Sequence, residues 1–215
     1  MDRRIALRNM GLALGYTVAT PTLLSLVQSC KNEDVLAWTP DFFSKEEGEV
    51  ITKLVDIILP KTDTPSATEV QVNLFIDRFA DQVMEKEQQD FVKMITGKFI
   101  EKAVKDSGKE NAAELESADL EATLAATLKI SKEQREANQE AVGEFMEAAA
   151  KGETASLDDT AAIYAFADNI RNMTIWGYKT SEYVGENVLA YLPVPGEYVA
   201  CGDVEELTGG KAWSL

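Results

Sequence analysis

Residues 44–60, SKEEGEVITKLVDIILP, decide the fold class of this chain. Ser44, followed three residues later by Glu47, has the pattern of a capping box at the start of a helix. The apolar residues that follow recur three or four positions apart and therefore share one helix face: Val50, Ile51, Leu54, Val55 and Ile58. Pro60 cannot continue a helix, so the stretch predicts one amphipathic helix that ends just before it.

The same spacing predicts five more helices further along the chain. The second begins near Val72 and includes Phe75, the third spans roughly 91–107, the fourth 120–128 and the fifth 141–149. Ser156 is the predicted N-cap of the sixth, whose core face would contain Ile163, Phe166, Ile170 and Met173. No long alternating run of β-branched residues competes with these helices. The predicted fold is all-α, an irregular helical bundle over residues 43–176 with a Gly/Pro/aromatic-rich C-terminal extension over 177–215.

The extension has the composition of an irregular segment rather than of a bundle. Its glycines and prolines are too closely spaced for long helices, and aromatic residues lie among them. Aromatic side chains dominate interface hot spots. The composition favours equally a tail packed on its own bundle and a partner interface, whose candidate residues are Tyr178, Tyr183, Tyr191, Pro195, Tyr198 and Trp213.

Residues 1–29 have the order of features found in an export signal. A basic start with Arg3 and Arg4 precedes an uncharged, mostly apolar stretch over 11–27. The start resembles a twin-arginine signal, although Ala6 and Arg8 depart from that pattern and leave the general secretory route open. Residues 26–30, LVQSC, resemble a lipobox, which predicts lipidation of Cys30. The expected location is the cell envelope, lipid-anchored on the periplasmic or outer side, with residues 30–42 as a polar tether; the alternative is a buried N-terminal helix with an incidental cysteine.

Composition excludes many chemistries. The chain has 215 residues, no histidine and only two cysteines, so Ser-His-Asp catalysis, His-ligated zinc or haem, and iron–sulfur clusters held by this chain alone are excluded. A net charge of −16 argues against nucleic acid as a partner. The sequence contains no glycine-rich nucleotide-binding motif and no metal-binding motif. We therefore expect no catalytic residue, no metal site and no bound cofactor on this chain.

Several blocks of sequence resemble one family. They are residues 54–67 (LVDIILPKTDTPSA) followed by Val72 and 75–77 (FID), then 177–182 (GYKTSE), 191–198 (YLPVPGEY) and Cys201. In this order they resemble the gluconate 2-dehydrogenase subunit 3 family, with Ser66 standing where the family usually has glycine.

The resemblance implies a non-catalytic small subunit of a membrane-associated sugar or sugar-acid dehydrogenase. The partner would be an FAD-dependent subunit of the glucose–methanol–choline type, often with a cytochrome c subunit, and FAD would belong to that partner. Small subunits of this family commonly carry the export signal for a partner that lacks one. The alternative function is a stand-alone envelope lipoprotein that binds a ligand or scaffolds other proteins.

Cys201 would be the remaining thiol once Cys30 is acylated. It lies in a polar segment and would face an oxidising compartment, where an odd cysteine is either packed and inert or paired with another molecule. The two hypotheses are an intersubunit disulfide to the flavin subunit and a packed free thiol.

Overall fold

Six long helices make up most of the chain that a computed structural model describes, residues 38–191 and 201–213. Their bounds are α1 Lys45–Ile58, α2 Val72–Gln82, α3 Lys86–Ser107, α4 Ser117–Leu128, α5 Lys132–Ala150 and α6 Asp159–Lys179. Shorter elements are a 3₁₀ turn at Ala112–Glu114, a π-helical turn at Val184–Val188 and a one-turn helix, α7, at Val204–Thr208. Within the described residues no strand forms, and the sole β-bridge joins Ala190 to Trp213. The all-α prediction is confirmed.

The first helix begins and ends where the sequence predicts. The Oγ of Ser44 accepts a hydrogen bond from the Glu47 amide at 3.2 Å, and the Ser44 amide donates to Glu47 Oε2 at 2.8 Å, which completes the capping box. The helix ends at Ile58, two residues before Pro60. Most of the predicted apolar face is fully buried, namely Val50, Ile51, Leu54 and Val55.

Helix α6 lies at the centre and contacts each of the other five long helices. Small buried residues on it, such as Ala162 and Ala167, let those helices approach closely. Near its middle, the rings of Phe166 and Phe99 of α3 have centroids 4.7 Å apart, and both side chains are buried. The core therefore sits around one helix, with the others arranged against it.

Two details of α6 differ from the sequence-based prediction. Its N-cap is Asp158 rather than Ser156, because the Asp158 carboxylate accepts hydrogen bonds from the amides of Thr160 at 2.9 Å and Ala161 at 3.1 Å. The helix also continues to Lys179, three residues beyond the predicted end of the helical region. Gly177 thus belongs to the bundle and not to an irregular extension.

Helix α5 lies on the outside of the bundle. None of its 19 residues is fully buried, although its apolar face packs partly against α3 and α6. The ring of Phe145, for example, lies 5.7 Å from that of Phe91 between centroids. The predicted apolar residues do share one face of α5, but their side chains pack on the surface of neighbouring helices and are not buried in the core.

Candidate partner-binding surface

The loop between α1 and α2, residues 59–71, is held in shape by two carboxylates. Asp56, on α1, accepts from the Thr68 amide at 2.9 Å and from its hydroxyl at 2.6 Å. Glu69 accepts from the Ser66 amide at 2.9 Å and forms an ion pair with Lys61. The Lys61 ammonium and, secondarily, the Ser66 amide hold the pKa of Glu69 below its usual value. These contacts give an otherwise irregular loop a defined conformation.

Two sequence blocks that lie far apart in the chain meet at this loop. The hydroxyl of Tyr178 donates to the carbonyl oxygen of Pro65 at 2.8 Å, across 113 residues of sequence. Next to it, Gly177 lies so close to α2 that a Cβ there would sit 2.6 Å from Cδ1 of Phe75 and 3.3 Å from Cγ1 of Val72. The end of α6 is therefore fitted against both the loop and α2.

Asp77 anchors the chain ahead of α1. Its carboxylate is fully buried and accepts three backbone amides, from Asp41 at 2.7 Å, Phe42 at 3.1 Å and Phe43 at 3.0 Å. Asp77 lies within a sequence block that resembles the family, but the sequence pattern assigns it no role. The available signal was its position beside Ile76, on the helix face that also carries Val72 and Ala80 and is buried.

Two open grooves lie next to the 59–71 loop, α2 and the end of α6. One, of about 470 Å³, runs along α2 and the end of α6; the other, of about 670 Å³, lies between the loop and residues 181–183. Both are lined by Val70, Gln71 and Ser181, where they meet. Gln71 has φ +61°, and among the described residues it is the only non-glycine residue in the left-handed region. That conformation costs about 1–2 kcal/mol and marks the junction of the grooves as strained.

An aromatic cluster lies beside the first groove, and two of its members, Phe75 and Phe79, line the groove. The ring of Trp176 packs edge-to-face against Phe75 and Phe79, with centroids 5.0 and 5.3 Å apart. Trp176 is nevertheless 42% exposed, and Val83, the residue that follows α2, is 61% exposed. Sequence patterns do not mark these residues as one cluster, because the pairing of α2 with α6 that brings them together is not visible from periodicity alone.

The candidate interface residues of the extension have different environments. Tyr183, Tyr191 and Trp213 are 52%, 58% and 49% exposed. Tyr178, by contrast, is partly buried against the core and engaged with the loop. Pro195 and Tyr198 lie outside the described residues, as do Arg3, Arg4 and Cys30.

Cys201 is exposed and forms no disulfide within the described residues. Its environment thus differs from that of a packed core thiol. Whether it pairs with another chain stays a prediction.

Among the described residues, no group of three or more His, Cys, Asp and Glu side chains is arranged to hold a metal ion. None of the helices in the same part of the chain combines the length and apolar character needed to cross a membrane.

Comparison with known proteins identifies one family. The family model described as gluconate 2-dehydrogenase subunit 3 matches residues 45–196. Searches of curated proteins and of solved structures return no significant match. The matched region begins at the first residue of α1 and contains the loop, Asp77, Gly177 and Tyr178. The chain therefore belongs to the gluconate 2-dehydrogenase subunit 3 family, an accessory subunit of a dehydrogenase complex.

Proposed function

We propose that this chain is the non-catalytic small subunit of a membrane-associated, FAD-dependent sugar or sugar-acid dehydrogenase, and that it binds the flavin subunit. The observation that carries the proposal is the hydrogen bond between Tyr178 and Pro65. It joins two of the sequence blocks that resemble the family, residues 54–67 and 177–182, in one rigid surface. A rigid surface loses little conformational entropy on binding, which favours a stable complex. FAD is expected on the flavin subunit, since this chain has no nucleotide-binding motif.

The C-terminal extension supplies a second part of this proposal. Tyr183, Tyr191 and Trp213 present large aromatic surfaces to solvent, and the backbone bridge from Ala190 to Trp213 brings two parts of the extension together. Tyrosine and tryptophan are enriched at interface hot spots. We propose that these residues contact the flavin subunit together with Pro195 and Tyr198, and that Cys201 forms a disulfide with it.

Export and anchoring complete the proposal. A flavin subunit folds around FAD where the cofactor is made, and the twin-arginine route carries folded cargo. Arg3 and Arg4 would therefore take the loaded complex across the membrane, and lipidated Cys30 would then hold it at the envelope. The acidic surface is repelled by anionic lipids, so the lipid and not the protein surface would provide the attachment.

Affinity purification from the native host tests the proposal. The tagged chain should bring down a yellow flavoprotein that reduces an artificial electron acceptor with a sugar or sugar acid as donor. A colourless, solitary chain would instead support the stand-alone lipoprotein. Non-reducing electrophoresis of the same material tests Cys201: a band at the summed mass that disappears on reduction supports the disulfide, and two separate bands reject it.

A further inference from the structure

We propose that the groove along α2 and the end of α6, here the α2–α6 groove, binds an apolar segment of the catalytic subunit that carries a carboxylate opposite Arg78. The inference rests on the proposed role as an accessory subunit and adds a docking site outside the C-terminal extension. The residues that carry it are Phe75, Arg78, Phe79 and Val83, which line the groove, and Trp176, which packs beside the groove against Phe75 and Phe79.

The groove is part of a longer strip that is poor in charge, in which apolar and aromatic side chains lie among uncharged polar ones such as Gln82, Gln88 and Asn169. It shares Phe79 and Val83 with a second depression of about 390 Å³, whose lining adds Met84, Phe91 and Met146. Of the described residues that line the two depressions, Arg78 alone is charged, in a chain of which 27% is charged. Depletion of charge with enrichment of aromatic residues and methionine is the mark of an interface core.

The aromatic cluster beside the groove is already in place for binding. Two edge-to-face contacts fix the Trp176 ring against Phe75 and Phe79, yet much of the ring still faces solvent. A partner that covers it gains apolar burial without paying to order the side chain. Such exposed, fixed aromatic residues are the usual energetic centres of protein interfaces.

Arg78 determines the chemistry of the occupant. It is exposed, lines the apolar groove, and pairs with no carboxylate among the residues that the structure describes. A guanidinium beside apolar surface selects a carboxylate, because a bidentate pair there is both strong and geometrically specific. A second copy of this chain is a poor occupant, since each copy carries a net charge of −16. An apolar segment of the catalytic subunit that carries an Asp or Glu side chain would both fill the groove and form an ion pair with Arg78.

Site-specific photo-crosslinking in the native host tests the location. A benzophenone amino acid replaces Val83, which is exposed enough to accept it, and in a matched variant replaces Ala137, an exposed residue of α5 that lines neither depression. Position 83 should crosslink to the catalytic subunit, within a peptide that contains Asp or Glu, and position 137 should not. Crosslinking at position 83 only to another copy of this chain, or to no protein, would overturn the proposal.

Charge variants test the role of Arg78. Arg78→Glu should reduce the recovered flavoprotein about tenfold or more, whereas Arg78→Lys should keep most of it. The control is Lys132→Glu, a charge reversal at an exposed position on α5, which should recover flavoprotein as the unaltered chain does. Circular dichroism of each purified variant establishes that the helices remain. A lysine at the crosslinked partner carboxylate should restore binding to Arg78→Glu.

The outcomes separate this inference from the proposed function. If the unaltered chain recovers no flavoprotein at all, the accessory-subunit proposal fails and the inference fails with it. If recovery is normal but Arg78→Glu leaves it unchanged and position 83 does not crosslink, the α2–α6 groove alone is rejected.

Discussion

The hydroxyl of Tyr178 and the carbonyl oxygen of Pro65 lie 2.8 Å apart, which joins the last turn of the central helix to the loop after the first. This hydrogen bond should be a measurable part of the stability of the bundle. Tyr178→Phe removes the donor and keeps the ring, so we expect a loss of about 0.5–1.5 kcal/mol in the free energy of unfolding. Urea denaturation followed by circular dichroism measures it. Tyr183→Phe is the control, because that side chain is half exposed and donates no hydrogen bond to another described residue; equal losses would contradict the assignment.

Gly177 should tolerate no larger residue. In Gly177→Ala the new Cβ would lie 2.6 Å from the Phe75 ring, so this ring or the two helices must shift and we expect about 1–3 kcal/mol of destabilisation. Gly143→Ala provides the matched case, since that helical glycine faces open space and alanine should stabilise the chain by about 0.5–1 kcal/mol. Thermal unfolding of both variants shows whether each substitution raises or lowers the stability of the chain. A stabilised Gly177→Ala variant would disprove the close approach.

The buried carboxylate of Asp77 should hold the segment ahead of α1. Asp77→Ala leaves the amides of Asp41, Phe42 and Phe43 without their acceptor, and the loss at the buried Phe43 amide alone costs about 1–3 kcal/mol. We expect strong destabilisation, together with fast hydrogen exchange at those three amides. Exchange mass spectrometry of the N-terminal peptide reads this directly. Exchange as slow as in the unaltered protein would rule out the anchoring role.

The loop should respond to acid through Glu69. Its pKa is lowered in the folded chain, so the stabilisation it provides is complete above the ordinary glutamate value of 4.5 and is lost as the pH falls through the lower, folded-state pKa. The NMR shift of the Ser66 amide, which donates to this carboxylate, should therefore titrate with a midpoint below 4.5. Glu69→Gln should abolish the titration. A midpoint above 4.5 would show that the pKa of Glu69 is raised in the folded chain, contrary to this prediction.

Cys30 should carry the membrane anchor. A fatty-acid probe supplied to growing cells should label the unaltered chain and leave Cys30→Ala unlabelled, because the acceptor thiol is gone. Equal labelling of the two chains would eliminate this role.

Arg3 and Arg4 should direct export through the twin-arginine route. The double variant Arg3→Lys, Arg4→Lys should therefore keep the dehydrogenase activity in the cytoplasm, and unchanged export of that activity would contradict this role.

Local sequence patterns predicted the elements of this fold well. The capping box at Ser44 and the apolar spacing after it specify α1 by themselves, since each depends on neighbours within one or two turns. At α6 two capping residues compete, Ser156 and Asp158, and the sequence offers no rule that chooses between them. In the structure the N-cap is Asp158, whose carboxylate accepts hydrogen bonds from two backbone amides of the first turn.

The candidate site was less accessible to sequence reasoning because it depends on contacts between distant residues. Gly177 was assigned to an irregular segment, because the glycines and prolines from this position onward are too closely spaced for long helices. In the structure it lies within the last turn of α6, and its lack of a side chain allows the close approach to Phe75. Likewise, the aromatic cluster around Trp176 exists only once α2 lies beside α6, a pairing that apolar periodicity does not encode.

The long reach of the contact between Tyr178 and Pro65 has a consequence for biosynthesis. The loop and α2 leave the ribosome early, but the α2–α6 groove is incomplete until the end of α6 has been made. A nascent or prematurely terminated chain that stops before Trp176 therefore lacks Trp176 and the groove residues Gly177, Thr180 and Ser181, which are part of the surface on which we propose the catalytic subunit docks. Assembly would then be restricted to chains whose central helix is complete, so that truncated products are left out of the complex without a dedicated checkpoint.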